Sequence, residues 1–233
     1  MKPVAIVQHD PHDGPSYFAT WLTEQRISYT VLRMFDGGVL PSNLGDFSGL
    51  CLLGGPMSAN DPLPYYPQLL TLVREAVQSK TPVIGHCLGG QLLSRALGGT
   101  VQAAENSEIG WSLLKPLHAQ AADWFGPGPI QLFQWHGESF SIPPSAIQLL
   151  GGMHCANQAY VVDGIHLGMQ FHCEVDDAKL RSWLQLGAEE MRCSVSPGVQ
   201  QAQAILQTLD TDLAQSQRIA DCIYNRWAQG LKR

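Results

Sequence analysis

The sequence predicts an open, mainly parallel, doubly wound α/β sheet with a flanking region of antiparallel strands. Three observations support that reading. Short apolar runs alternate with helical patterns through the first half of the chain, the rhythm of βαβ units. The middle then changes to closely spaced β-prone runs joined by turns, which is hairpin spacing. The chain has 233 residues and 45% hydrophobic content, enough for one sizeable core and better suited to a single domain (1–233) than to two.

The elements follow in order. Residues 4–8 read as the first strand, and 17–26 as a helix entered through Pro15-Ser16. Residues 29–34 and 49–53 are the second and third strands. A helix over 67–79, a strand over 82–86 and a helix over 88–97 complete the alternating part, so these strands are expected to run parallel. Residues 100–103, 110–114, 130–134, 147–151, 159–162 and 166–170 are short β-prone runs. Val175-Asp176-Asp177 supplies cap chemistry for a helix running to about Met191. Ser196-Pro197-Gly198 breaks it, and one or two closing helices extend from 199 to about 229. The whole is a three-layer, flavodoxin-like arrangement.

Bulk properties exclude several classes. The formal net charge is −6, and the 14 Lys and Arg are scattered, so no nucleic-acid footprint is visible. No apolar run reaches membrane-spanning length, and the N-terminus reads as a strand rather than a signal peptide. The six cysteines (51, 87, 155, 173, 193 and 222) show no C-x-x-C spacing. Reduced thiols in a cytoplasm are the expectation.

The run Val83-Ile84-Gly85-His86-Cys87-Leu88-Gly89-Gly90-Gln91 carries most of the chemistry. An apolar strand ends at His86 and a helix begins at Leu88. Gly85-x-Cys87-x-Gly89 is therefore a nucleophile-elbow pattern with sulfur in place of a hydroxyl. A tight turn lifts the thiol clear of the sheet, and the helix N-terminus favours the thiolate. The alternative is a buried packing thiol, which the flanking glycines and the strand-to-helix switch disfavour.

A cysteine nucleophile needs a base and a group to orient it. His172 and Glu174, just past the run 166–170, are the candidates. Their i, i+2 spacing puts both side chains on one side of an extended segment, so the carboxylate fixes the imidazole tautomer. Ligands bind beyond the C-terminal ends of parallel strands, where both Cys87 and His172 are expected. His136 competes as a base, but a pocket-wall role fits its position after a β-run better. An oxyanion site requires two N–H donors, each worth roughly 3 kcal/mol in the transition state. Leu88 N–H is one candidate, and Gly55 of Gly54-Gly55-Pro56 is the other, since Pro56 has no N–H.

These pieces resemble the class I glutamine amidotransferase family, in its GMP-synthase-like stand-alone branch: Gly54-Gly55-Pro56, the Cys87 elbow and Phe171-His172-Cys173-Glu174 occur in the family's order. Gln134-Trp135-His136-Gly137-Glu138 resembles the segment lining the glutamine pocket of that branch, and the opening segment from Gln8 to Pro15 is also similar. The resemblance implies hydrolysis of the γ-amide of glutamine, or of a γ-glutamyl compound, through a Cys87–His172–Glu174 triad and a γ-glutamyl thioester. It implies substrate contacts from Gln91, Trp135, His136, Gly137 and Glu138. It also leaves open a role as a glutaminase subunit feeding a separate synthase chain, because no synthase domain follows. Two departures stand out. Cys173 replaces the proline common between His and Glu, and Met57 replaces a common acidic residue, leaving Glu138 or Glu105 to hold the α-amino group.

A non-catalytic binding module on the same fold is disfavoured because Cys87 and His172 are both present. Cysteine-elbow peptidases or stress proteins rank low, since they lack His-x-Glu at this distance. His9 and His12, beside Asp10 and Asp13, read as a pocket-rim loop rather than a metal site. No metal, no cofactor, no nucleic acid and no membrane partner is expected. His86 is expected to pack beneath the elbow, and Tyr65-Tyr66 to pack in the core or cover the site.

Overall fold

A computed structural model describes residues 2–232. Strand β1 (Val4–Gln8) leads into helix α1 (Ser16–Glu24) and strand β2 (Tyr29–Arg33), which closes in a 3-10 turn, Met34–Asp36. Then come β3 (Gly49–Leu52), α2 (Tyr66–Gln78), β4 (Val83–His86) and α3 (Leu88–Ala96). The middle holds β5 (Val101–Pro116), α4 (Ala121–Phe125), β6 (Ile130–Phe140), β7 (Ile147–Gly151), β8 (Ala159–Val162) and β9 (His166–Met169). Helices α5 (Asp177–Leu186) and α6 (Ala188–Cys193), strand β10 (Gly198–Val199) and helices α7 (Ala202–Gln207) and α8 (Leu209–Ala228) finish the chain.

The ten strands form one sheet in the order β10-β5-β7-β8-β9-β4-β3-β1-β2, with β6 paired to β5 off this path. The run β2-β1-β3-β4-β9 is parallel throughout. Strands β8 and β7 continue it antiparallel, and β5 joins antiparallel beyond them. The alternation of β1 shows why three layers form. Val4 and Ile6 face a core with Phe18, Trp21 and Leu22 of α1 and with Ile223, Tyr224 and Trp227 of α8. Ala5 and Val7 face the opposite core, where Leu69, Leu72 and Val73 of α2 and Leu92 and Leu93 of α3 pack. A third apolar cluster joins Ile109, Trp111 and Phe133 of the β5–β6 arm to Leu180 and Leu184 of α5. Among the described residues, no helix is long and apolar enough to cross a membrane.

The parallel part follows the sequence reading closely, and the middle does not. The runs at 100–103 and 110–114 belong to one strand, β5, interrupted by a register shift between Ala103 and Glu108. The run at 130–134 extends to Phe140, because residues through Phe140 keep pairing with β5. The short α4 was not anticipated. The helix expected over 176–191 is two helices broken at Gly187, where a Cβ would strike the Trp135 ring. The closing helices begin at Ala202 and not at Val199, because Val199 joins Gly198 in a short strand beside Glu108 and Ile109. Within the segment 175–177, Asp176 is the cap, its side chain accepting a hydrogen bond from Lys179 N.

Candidate active site

The parallel strands present their C-terminal ends along one edge of the sheet, and the site is built just beyond them. Strand β4 ends at His86 and α3 starts at Leu88, so Cys87 alone makes the turn. Its backbone lies at φ 46°, ψ −107°, a left-handed conformation that a side-chain-bearing residue adopts only when its surroundings impose it. Close packing imposes it. A Cβ on Gly85 would sit 2.5 Å from the Gly89 carbonyl carbon, while Cβ atoms on Gly89 and Gly90 would run into the backbones of Leu52 and Met169. Helix α3 thus rests directly on the sheet, and the turn has no room to relax. The Cys87 thiol is 6% exposed. It donates to the Trp135 carbonyl (3.7 Å) and lies 3.5 Å from the Gln170 amide nitrogen, a donor to sulfur.

Beyond β9 the chain continues through His172 to Glu174, and His172 N–H donates to Phe133 O (2.8 Å), tying this segment to β6. The i, i+2 spacing does what it predicts: His172 Nδ1 lies 2.7 Å from Glu174 Oε1, with both side chains buried. Burial by itself lowers the pKa of His172, but the Glu174 charge and the neighbouring Cys87 outweigh it and raise the value to about 10. Burial likewise opposes ionisation of Glu174, yet His172, Lys179 and His86 hold its carboxyl well below the usual range.

Lys179 was missed by the sequence reading, and Asp13 was read only as a neighbour of the loop histidines. Lys179 Nζ is 2.5 Å from Asp13 Oδ1 and 3.3 Å from Glu174 Oε1. No local signal marks it, because its partner Asp13 lies in the loop after β1, far away in sequence. Asp13, His172 and Glu174 bring ligand-type atoms within 4.8 Å of one another, but the Lys179 ammonium already pairs with both carboxylates.

A cavity of about 700 Å³ opens over the thiol. Gln91, Trp135, His136, Gly137 and Glu138 all line it. Gln91 Nε2 donates to Glu138 O (3.2 Å) and faces Gln170 Oε1 (3.4 Å). The Glu138 carboxylate accepts both of its contacts from Ser58 Oγ (2.8 and 2.9 Å). Glu105 does not line the cavity and is exposed on β5, within the irregular stretch between Ala103 and Glu108, so it stands outside the site. Gly55 lines the cavity, and a Cβ there would meet Leu88 Cδ2 at 3.1 Å, so the two candidate oxyanion residues adjoin. Leu88 is the first residue of α3, leaving its N–H without an intrahelical acceptor.

Asp10, His12 and Asp13 form the rim as expected, but His9 does not. It is buried, bonded to Tyr65 OH (2.9 Å) and stacked on that ring, and burial lowers its pKa to about 3. Tyr66 belongs to the core. His86 packs beneath the elbow between Cys51 (3.9 Å) and Tyr224 OH (3.3 Å). Cys173 points to the same layer, 3.4 Å from Tyr224 OH.

The class-I glutamine amidotransferase family matches residues 22–184 of this chain. The chain belongs to that family. This amidotransferase resembles, over its whole length, a solved glutamine amidotransferase from Methylobacillus flagellatus: 45% identity, a TM-score of 0.98, and coverage of 100% of this chain and 96% of the other. It is 27% identical over 201 residues to the glutamine amidotransferase-like protein YfeJ of Salmonella typhimurium, covering 81% of this chain and 82% of that protein. It is 32% identical over 134 residues to the glutamine-hydrolysing GMP synthase of Thermomicrobium roseum, covering 58% of this chain and 24% of the synthase. Family membership makes the protein a glutamine-hydrolysing enzyme of mixed α/β fold.

Proposed function

We propose that this amidotransferase, acting as one unit, cleaves the γ-amide of glutamine or of a γ-glutamyl compound with Cys87 as nucleophile, His172 as acid and base, and Glu174 as the group that orients the imidazole. The observation that supports this reading best is the strained Cys87 turn opening beside a buried His172–Glu174 pair at one sheet edge. The thiolate attacks the amide carbonyl carbon. The N–H groups of Leu88 and Gly55 take the developing oxyanion. The His172 imidazolium gives its proton to the departing nitrogen, and ammonia or an amine leaves a γ-glutamyl thioester on Cys87. The neutral imidazole then takes a proton from water as the water attacks the thioester. Glutamate departs and the thiolate–imidazolium pair is restored.

Gln91, Gly137 and the backbone from Trp135 to Glu138 are assigned to the amino-acid end of the substrate. The Glu138 carboxylate, held by Ser58, is the acceptor for its ammonium group. His136 is a wall residue: one nitrogen is 3.2 Å from Glu108 Oε2 and the other 3.1 Å from Glu138 O. A second reading follows from the similarity to GMP synthase, in which the chain supplies ammonia to a separate synthase subunit.

The test is glutamate release from glutamine and from γ-glutamyl dipeptides by the purified protein. Turnover by the wild type that disappears in Cys87→Ala supports the hydrolase. Silence until a synthase chain is added supports the subunit. Turnover that survives Cys87→Ala removes the mechanism.

A further inference from the structure

We propose that Lys179 and Asp13 are positioning residues for the reaction: an interior ion pair that clamps Glu174 behind His172 and sets the charge balance around the imidazole. The inference rests on the roles proposed above for Cys87, His172 and Glu174.

Lysine is seldom buried unless paired, and Lys179 is 6% exposed. Its ammonium donates to Gly14 O (2.8 Å) and Glu174 Oε1 (3.3 Å) and forms an ion pair with Asp13 Oδ1 at 2.5 Å. The indole of Trp183 covers the remaining side, 4.6 Å from Nζ. Glu174 Oε1 is therefore gripped twice, by His172 from one direction and by Lys179 from another. Trp183 lies one helical turn after Lys179 on α5 and stands edge-on to His172, ring centroids 4.8 Å apart. Its Nε1 also donates to His12 O (3.0 Å). One face of α5 thus delivers a cation to the carboxylate and a ring to the imidazole, and fastens the loop carrying Asp13.

Fold stability alone does not call for this arrangement, because apolar side chains often replace a buried ion pair without loss. Its value lies in charge. With the thiolate–imidazolium pair formed, His172 and Lys179 carry positive charge and Cys87, Glu174 and Asp13 negative. The other groups facing Glu174 do not substitute for the ammonium. His86, from β4, has its Nε2 4.0 Å from Glu174 Oε2, and burial lowers its pKa to about 4. Tyr224 of α8 is kept protonated by burial, as are the thiols of Cys51 and Cys173. Among the described residues, no other lysine or arginine pairs with Glu174. Removing the Lys179 charge makes the potential at His172 more negative. The imidazolium then holds its proton harder and the thiolate forms less readily, so both pH limits move upward. Removing the Asp13 charge acts in the opposite sense.

The experiment follows the pH dependence of iodoacetamide alkylation, read on the Cys87 peptide, in wild type, Lys179→Met, Lys179→Arg, Asp13→Asn and the Lys179→Met/Asp13→Asn double variant. Kinetics of glutamate release from glutamine run alongside. Lys179→Met is expected to move the alkylation profile up by about one pH unit, and to lower kcat about tenfold with little change in KM. Asp13→Asn moves the profile down, the double variant returns it toward wild type, and Lys179→Arg preserves it. Profiles that stay at the wild-type position, or that shift in the same direction in both single charge variants, overturn the inference. If Lys179→Met does not fold, the downward shift in Asp13→Asn and its absence in Lys179→Arg decide the question. Glutamate release that survives Cys87→Ala is a separate outcome, which removes the triad and not merely its clamp.

Discussion

Among the described residues, two of the buried clusters built from cysteine, histidine and glutamate border the same cavity, and only one carries the catalytic roles proposed above. Cys87, His172 and Glu174 meet at the ends of parallel strands. Cys155, His136 and Glu108 bring ligand-type atoms within 4.8 Å of one another in and beside the antiparallel arm. The difference lies in what each imidazole has left to give. His172 spends Nδ1 on Glu174 and presents its other edge to the Cys87 thiol. His136 spends both nitrogens, one on Glu108 Oε2 (3.2 Å) and one on Glu138 O (3.1 Å). Glu108 is equally committed, accepting from Gln158 (2.7 Å) and Ser112 (3.2 Å). Cys155 bonds to Ser139 Oγ (3.1 Å), and burial pushes its thiol pKa up. The second cluster is a strut that fixes the pocket wall. Residue type does not make a base; an uncommitted nitrogen beside a thiol does.

Replacing the two histidines tests this contrast most strongly. His172→Gln is expected to lower kcat by roughly 10²–10⁴-fold, the usual worth of a positioned acid–base group. His136→Gln is expected to raise KM by about tenfold while kcat holds within a few-fold, because it loosens the wall and not the chemistry. Steady-state glutamate release separates them, and equal losses in kcat would erase the distinction.

A smaller effect appears in stability. Because the pKa of His172 is raised from 6.5 to about 10, its pairing with Glu174 stabilises fully below pH 6.5 and is lost as pH rises toward 10. Glu174, held low, loses its contribution only in acid. Glu174→Gln is therefore expected to cost about 3–5 kcal/mol near pH 6, with the gap to wild type shrinking toward pH 10. Urea unfolding across that range checks the slope. A gap that widens with pH contradicts the ion pair.

The smallest contrast concerns glycines. Gly89→Ala puts a Cβ into the Leu52 backbone, whereas Gly137→Ala meets only Ser107 Oγ, at 3.3 Å. The first is expected to cost about 1–3 kcal/mol and the second under about 0.5 kcal/mol. Thermal unfolding of the two variants measures the difference.

The parallel half was legible in the sequence because local signals and tertiary packing agree there. Val4–Gln8 alternates between two cores, and the glycines around Cys87 mark a backbone-to-backbone approach. His172 and Glu174 were legible because i, i+2 spacing acts within one extended segment. The arm was read too short because β5 and β6 owe their length to each other. Polar stretches such as Trp135 to Glu138 are strand only while paired. Gly187 was passed over because the ring it must avoid, Trp135, lies 52 residues earlier in the chain. Lys179 and Asp13 stayed hidden for the same reason. Their meeting depends on α5 crossing the loop after β1, and no local pattern records that crossing.

The most direct test of Cys87 as nucleophile is a mass measurement on protein quenched in acid during turnover of glutamine. One added γ-glutamyl group is expected on the peptide containing Cys87, with none on the corresponding peptide of Cys87→Ala. Sustained glutamate release with that peptide unmodified, and the same release from Cys87→Ala, would contradict it.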